Sequence, residues 1–151
     1  MKSIYIIGAL KNAKIPLYGN QLRAAGFDVF EDWISPGPDA DTYLYEYEKS
    51  RGHGYKEALK GYAAQHTFQF DKFHIDRCDI GIMIMPCGRS GHLELGYFCG
   101  QGKPAYVLFE EEPERFDLMY LLATDVFFNI EDLISELRKG EPEPIECDIP
   151  F

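Results

Sequence analysis

Two carboxylates stand in this sequence where ordinary surface acids do not. Glu94 is the only acid in the segment CGRSGHLELGYFCGQGK, residues 87–103, where it follows an apolar run and sits at the mouth of a helical pattern between glycine-flanked turns. Its helical neighbours are Gly91, Tyr97 and Phe98, so it lies between bare backbone and aromatic rings. Asp71 is out of phase with its own helix. In the pattern from Tyr55 to Arg77 one stripe holds Ala64, Phe68, Ile75 and, at its edge, Cys78, while Gln65, Gln69, Lys72 and Asp76 form the polar face. Asp71 falls on the apolar stripe. A carboxyl buried without a cation has its pKa raised and holds a proton near neutral pH. One nucleophilic and one proton-bearing carboxyl are the equipment for breaking a glycosidic bond through an oxocarbenium-like transition state. The rule is written for O-glycosides, and its extension to N-glycosides is by analogy. Taken singly, each acid has a plainer reading: Glu94 complements the positive end of a helix, and Asp71 bonds to a nearby backbone group.

The elements that must position these acids follow from the hydrophobic pattern. Ser3 to Ile7 is an apolar run ending at Gly8, and Pro16 suits the first turn of a helix that Gly26 stops. Phe27 to Phe30 reads as a second strand, and Trp33 to Asp41, with Pro36, Gly37 and Pro38, as a loop. Helical patches follow over Thr42 to Ser50 and Tyr55 to Arg77. Asp79 to Met85 is a strand apolar enough to be buried on both faces. Pro86 to Ser90 turns, and Ser90 caps a helix from Gly91 to Gly100; a capping box would need its acid at position 93, so Glu94 misses it by one. Ala105 to Phe109 is the next strand, Pro113 to Leu122 a helix, Val126 to Phe128 a short strand and Ile130 to Arg138 a final helix. Such alternation implies an α/β fold, a parallel five-stranded sheet covered on both sides. Residues 1–138 read as one domain, and 139–151, with three prolines, as an extended tail. Both acids then point to the carboxyl edge of the sheet, where Gly8 also ends the first strand.

Composition limits the partners. The 151 residues, 46% hydrophobic, can bury a core without disulfides or metal. A formal charge of -10 excludes a polymeric nucleic acid, which needs clustered Lys and Arg, but leaves room for a small ligand. Cys78, Cys87, Cys99 and Cys147 form no C-x-x-C pair, and the chain opens directly into a strand, which together indicate reduced thiols in a cytoplasmic protein. No apolar run approaches the roughly 18 residues a membrane span needs. The four histidines lack metal-ligand spacing, and neither G-x-G-x-x-G nor a P-loop occurs, so no metal or cofactor is expected.

With these residues in view, the chain resembles the nucleoside 2-deoxyribosyltransferase superfamily, which also contains deoxynucleoside 5'-monophosphate N-glycosidases. The resemblance rests on Ile4-Tyr5-Ile6-Ile7-Gly8, on Asp71 ahead of Asp79, on the strand Asp79 to Met85, and on Gly91-His92-Leu93-Glu94-Leu95-Gly96-Tyr97 followed by Gly102-Lys103-Pro104. It spans Ile4 to about Phe109. It implies a flavodoxin-like, Rossmann-like doubly wound sheet, and a Glu94 that attacks the anomeric carbon and carries a covalent deoxyribosyl group. Tyr5 would hydrogen-bond Glu94, and Asp71 would protonate or steady the departing base, with Glu94 ionised and Asp71 protonated in environments that drive their pKa values apart. Gly8, Ser90 and Gly91 would line the substrate site. Transferases of the group often carry an Asp six positions before the nucleophile to read the base, and here that position is Gly88. Monophosphate hydrolases hold a phosphate with Ser and Arg, a role open to Lys11, Arg89 and Ser90, which are equally readable as solvent-facing loop residues.

The resemblance also implies a homo-dimer or higher homo-oligomer with shared active sites, Asp117 standing where the neighbouring subunit would lend a polar group. Phe151 matches an aromatic terminus found among the transferases. Asp32 and Trp33 could form a lid over the base, whereas Tyr43 and Tyr47, at i and i+4, read as a packing pair. The favoured activity is transfer of deoxyribose from a 2'-deoxynucleoside to another base. Its alternatives are hydrolysis of a 2'-deoxynucleoside 5'-monophosphate, a non-catalytic nucleotide-sensing module, and an NAD glycohydrolase.

Overall fold

The computed structural model describes residues 1–139; the tail beyond Lys139, with Cys147 and Phe151, lies outside the described residues. Strands β1 (Ser3–Ile7), β2 (Asp28–Phe30), β3 (Ile80–Ile84), β4 (Ala105–Leu108) and β5 (Asp125–Phe127) alternate with helices α1 (Ile15–Ala24), α2 (Ala40–Ser50), α3 (Tyr55–Lys60), α4 (Tyr62–Arg77), α5 (Arg89–Gly100) and α6 (Ile130–Arg138). The strands form one parallel sheet in the order β2-β1-β3-β4-β5, the doubly wound flavodoxin-like arrangement. Every residue of β1, β3 and β4 is buried, because helices cover both faces and neither side of the pleat meets water. On one face Ile4, Ile6, Ile82 and Ile84 cluster with Ile15 and Leu22 of α1 and Leu133 and Leu137 of α6. On the other, Tyr5, Ile7 and Met83 cluster with Ile75 of α4 and Leu95 and Phe98 of α5. Gly81, paired with Tyr5, lets α5 come close: a Cβ there would stand 2.9 Å from the Phe98 ring.

Three sequence expectations are corrected. The single helix expected over Tyr55 to Arg77 is two, broken at Gly61, whose backbone is extended. A Cβ at Gly61 would be 3.2 Å from Oε1 of Glu48, a buried carboxylate paired with His53 at 2.5 Å. The break therefore closes α3 and α4 over the buried Glu48–His53 contact. The helix expected over Pro113 to Leu122 is only a short 3-10 turn, Leu118–Leu122; Asp117 accepts a bond from Met119 N at 3.1 Å, the local side-chain capture that competes with helix. Helix α5 begins at Arg89 with Gly88 as its cap, so Ser90 is inside the helix and makes no cap bond. Glu94 accordingly sits in the second turn, away from the free N–H groups of the first. Elsewhere the strand and helix limits move by one or two residues, and Asp79, expected inside the third strand, instead precedes it and accepts from both N and Oγ of Ser3 at 3.0 Å.

Candidate active site

The chain leaves β1 toward the α1 face and β3 toward the α5 face, so the crevice between their carboxyl ends is the switch point of the sheet, where open α/β folds place ligands. Three expected residues meet there. Tyr5 is 1% exposed and tilted against Phe30 and Phe98, ring centroids 5.4 and 6.0 Å away. Glu94 and Asp71 are both half-buried, one on α5 and one on α4. The two helices are fixed side by side one turn below: Tyr97 donates to Oδ1 of Asp76 at 2.8 Å, and the Lys72 ammonium lies 5.7 Å from the centre of the Tyr97 ring. Glu94 is three residues above Tyr97 and Asp71 five above Asp76, and the charge of Asp71 reaches Glu94.

Neither acid has a hydrogen bond or ion pair among the described residues, and the charge of Asp71 acts on Glu94. Burial, and next the charge of Asp71, raises Glu94 from 4.5 to about 7. Burial, and next the charge of Asp41, raises Asp71 from 3.8 to about 6. Burial first, then the charges of Glu94, Asp71 and Cys78, pushes the Tyr5 phenol far above its ordinary range, so it stays a neutral hydroxyl. The expectation kept Glu94 ionised and Asp71 protonated; in this structure burial raises both carboxyls. The two carboxyls thus share a setting that favours their protonated forms.

The remaining expected residues are distributed around this pair. Gly8 closes β1 against two side chains: a Cβ would collide with Ile15 and lie 3.4 Å from the Trp33 ring. Trp33 is no free lid, because its Nε1 donates to the Ile6 carbonyl at 2.7 Å and the indole packs into both core layers. Asp32, Lys11, Arg89 and Ser90 are exposed near the same edge, and Lys11 and Arg89 have no carboxylate partner among the described residues. Gly91 is buried under the Cys87 thiol, which a Cβ would overlap, so its lack of a side chain serves packing. Gly88 faces open space and its carbonyl accepts from His92 Nδ1 at 2.7 Å. Asp117 lies on the far side of α5, on the wall of cavities of about 500 and 210 Å3 that Tyr5, Asp71 and Glu94 do not line. Tyr43 and Tyr47 do not pack away as a pair; they are 65% and 53% exposed.

Two neighbours of the acids escaped the sequence reading. Asp41, on α2, is exposed and bears on the site only through its charge on Asp71, a relation between two helices that the pattern of one does not record. Cys87 is pushed up to about 11 by burial and by Glu94, so it stays a thiol beside the acid. Its signal was present in the glycine four residues on, which only a close neighbour would require.

No protein-family model and no curated protein matches the sequence. Among solved structures, the chain is similar to a 2-deoxyribosyltransferase of the psychrotolerant bacterium Bacillus psychrosaccharolyticus, at 19% identity and a TM-score of 0.58, over 87% of this chain and 90% of that one. It is similar to a conserved protein of Enterococcus faecalis V583, at 14% identity and a TM-score of 0.62, over 92% and 98%. It is also similar to a CMP N-glycosidase of Clostridium botulinum, at 17% identity and a TM-score of 0.51, over 90% and 98%. At these identities the likeness is one of fold, and it agrees with the fold that the sequence resemblance implies.

Proposed function

We propose that this protein cleaves the N-glycosidic bond of a 2'-deoxynucleoside and passes the sugar to another base. The observation that carries the reading is the pair Glu94 and Asp71, half-buried, unpartnered among the described residues and raised to about 7 and about 6 at the switch point of the sheet. The likeness of fold to a deoxyribosyltransferase and an N-glycosidase supports it. In the reactive arrangement a single proton is on Asp71 and the charge on Glu94. Glu94 attacks the anomeric carbon, the carbon–nitrogen bond breaks with its electron pair passing to the base, and Asp71 delivers its proton to the base. The sugar is left as an ester of Glu94. A second base, losing a proton to Asp71, attacks the same carbon and releases Glu94, the first step run backwards. Tyr5, kept neutral, is the donor that holds Glu94 in line as charge moves off it. Transfer requires that water be kept from the ester until the second base attacks.

A second reading, hydrolysis of a 2'-deoxynucleoside 5'-monophosphate, draws on the unpaired Lys11 and Arg89, cations at the same edge suited to a phosphate. Self-association to complete the site is supported by the apolar surface around Asp117, where Phe116 is 90% and Leu121 86% exposed. Incubation with a 2'-deoxynucleoside, with and without a second base, tests the activity, and mass spectrometry of the quenched mixture seeks a deoxyribosyl ester on Glu94. Exchange of bases with loss of turnover in Glu94→Gln is expected. Free sugar without exchange replaces transfer by hydrolysis, and undiminished turnover in Glu94→Gln removes Glu94 from the mechanism.

A further inference from the structure

Phe68 occupies a position that helical phase directs inward, yet it is 64% exposed. It lies seven residues above Ile75, which is buried against the sheet, and three above Asp71, on the same stripe of α4. At 1.5 Å per residue, seven residues carry Phe68 about 10 Å beyond Ile75, toward the carboxyl ends of the strands. The other two phenylalanines of that half of the helix have ring partners: Phe70 meets Phe30 and His74, and Phe73 meets His74. Phe68 has no ring contact among the described residues.

Its direction is set by its neighbours. Lys72, four residues below Phe68, faces α5 through Tyr97, and Asp71 faces Glu94. Phe68 lies between those two directions and one turn, about 5 Å, above Asp71. An apolar ring therefore stands one turn beyond Asp71, on the side of α4 that carries the acid.

We propose that Phe68 is the stacking platform for the departing base, recognising a planar heterocycle by its face while Asp71 addresses its edge. This rests on the functional reading above. Aromatic platforms of this kind are tolerant of base identity because every base has a π-face. Phe68 thus provides affinity, and choice among bases falls to the groups at the edge.

The test uses the full chain, wild type and Phe68→Ala, Phe68→Leu and Phe68→Tyr, with 2'-deoxyadenosine, 2'-deoxycytidine and thymidine as substrates and the matching free bases as calorimetric ligands. For whichever substrates are cleaved, Phe68→Ala is expected to raise KM and weaken base binding by about 5- to 100-fold, the range that loss of one stacked base gives. kcat changes little, Phe68→Tyr retains wild-type values and Phe68→Leu falls between. The melting temperature and elution volume are unchanged in all three. Turnover by wild type with unaltered KM and base affinity in Phe68→Ala overturns the proposal and leaves the functional reading intact. A changed elution volume in Phe68→Ala overturns it in favour of a subunit contact. A wild-type protein that neither binds a base nor cleaves any of the three substrates overturns the functional reading itself.

Discussion

Replacing Glu94 by Gln should stabilise the protein, and only above acidic pH. The folded chain holds this carboxyl at about 7 against an ordinary 4.5, chiefly through burial and secondarily through the charge of Asp71. Because the folded state binds the proton more tightly than the unfolded state, the carboxyl's contribution is fully favourable below about 4.5 and is lost as pH rises through about 7. A displacement from 4.5 to about 7, at about 1.4 kcal/mol per pH unit, corresponds to about 3 kcal/mol. Water in the crevice screens a half-buried group, so about 2 kcal/mol is the expected size. For a domain of this length that is a rise of about 4–8 °C in Tm. Thermal melts followed by circular dichroism at pH 4, 6 and 8 supply the measurement. Gln and Glu forms should melt together at pH 4, separate at pH 6 and differ most at pH 8, with the Gln form higher. An equal difference at pH 4 and pH 8, or a less stable Gln form at pH 8, would refute the reasoning.

If the pair works with one proton, kcat/KM should fall on both sides of the interval between about 6 and about 7. Asp71→Asn removes a charge that raises Glu94, so the acidic limb of any residual activity should move to lower pH; movement upward would contradict the assignment. Gly81→Ala puts a methyl 2.9 Å from the Phe98 ring and should cost about 1–3 kcal/mol in urea denaturation, against an unchanged midpoint if the sheet and α5 can part freely. His53→Ala strands the buried Glu48 carboxylate with only Arg51, 4.0 Å away, and should cost about 2–3 kcal/mol, part of which Glu48→Gln restores in the double variant. Additive losses would mean that the two side chains are not coupled.

The parallel sheet was legible because its strands are apolar without alternation, and that property belongs to burial on both faces rather than to any one contact. Ser3 to Ile7 and Ile130 to Arg138 were read to the residue for the same reason: one is wholly buried, the other has its apolar and polar faces cleanly divided. The break at Gly61 was not legible. Its cause is the carboxylate of Glu48, thirteen positions earlier, and a helical pattern contains no record of a distant group that needs the space. The 113–122 segment failed through local chemistry, Asp117 offering its own backbone a turn. Asp71 was found because an acid on an apolar stripe is a conflict visible in one helix, whereas Asp41 bears on the site only through the packing of two.

The acids of this fold are not treated alike. Asp79 accepts from Ser3, Glu31 pairs with Arg23, Glu48 with His53, and Asp76 takes bonds from Tyr97 and Lys72. Each of these links one element to another, and each carboxylate has its charge answered. Glu94 and Asp71 lie among them without such partners, in a place where burial works against their ionisation. A surface acid in that condition would turn to water, and a structural one would be paired, as its neighbours are. What keeps two unanswered carboxyls within reach of each other's charge is the set of partnered acids that fixes the helices carrying them, above all the Asp76 to Tyr97 link between α4 and α5. Stability given up at one pair of residues and secured at the surrounding ones fits the proposed role of Glu94 and Asp71 as a reacting pair.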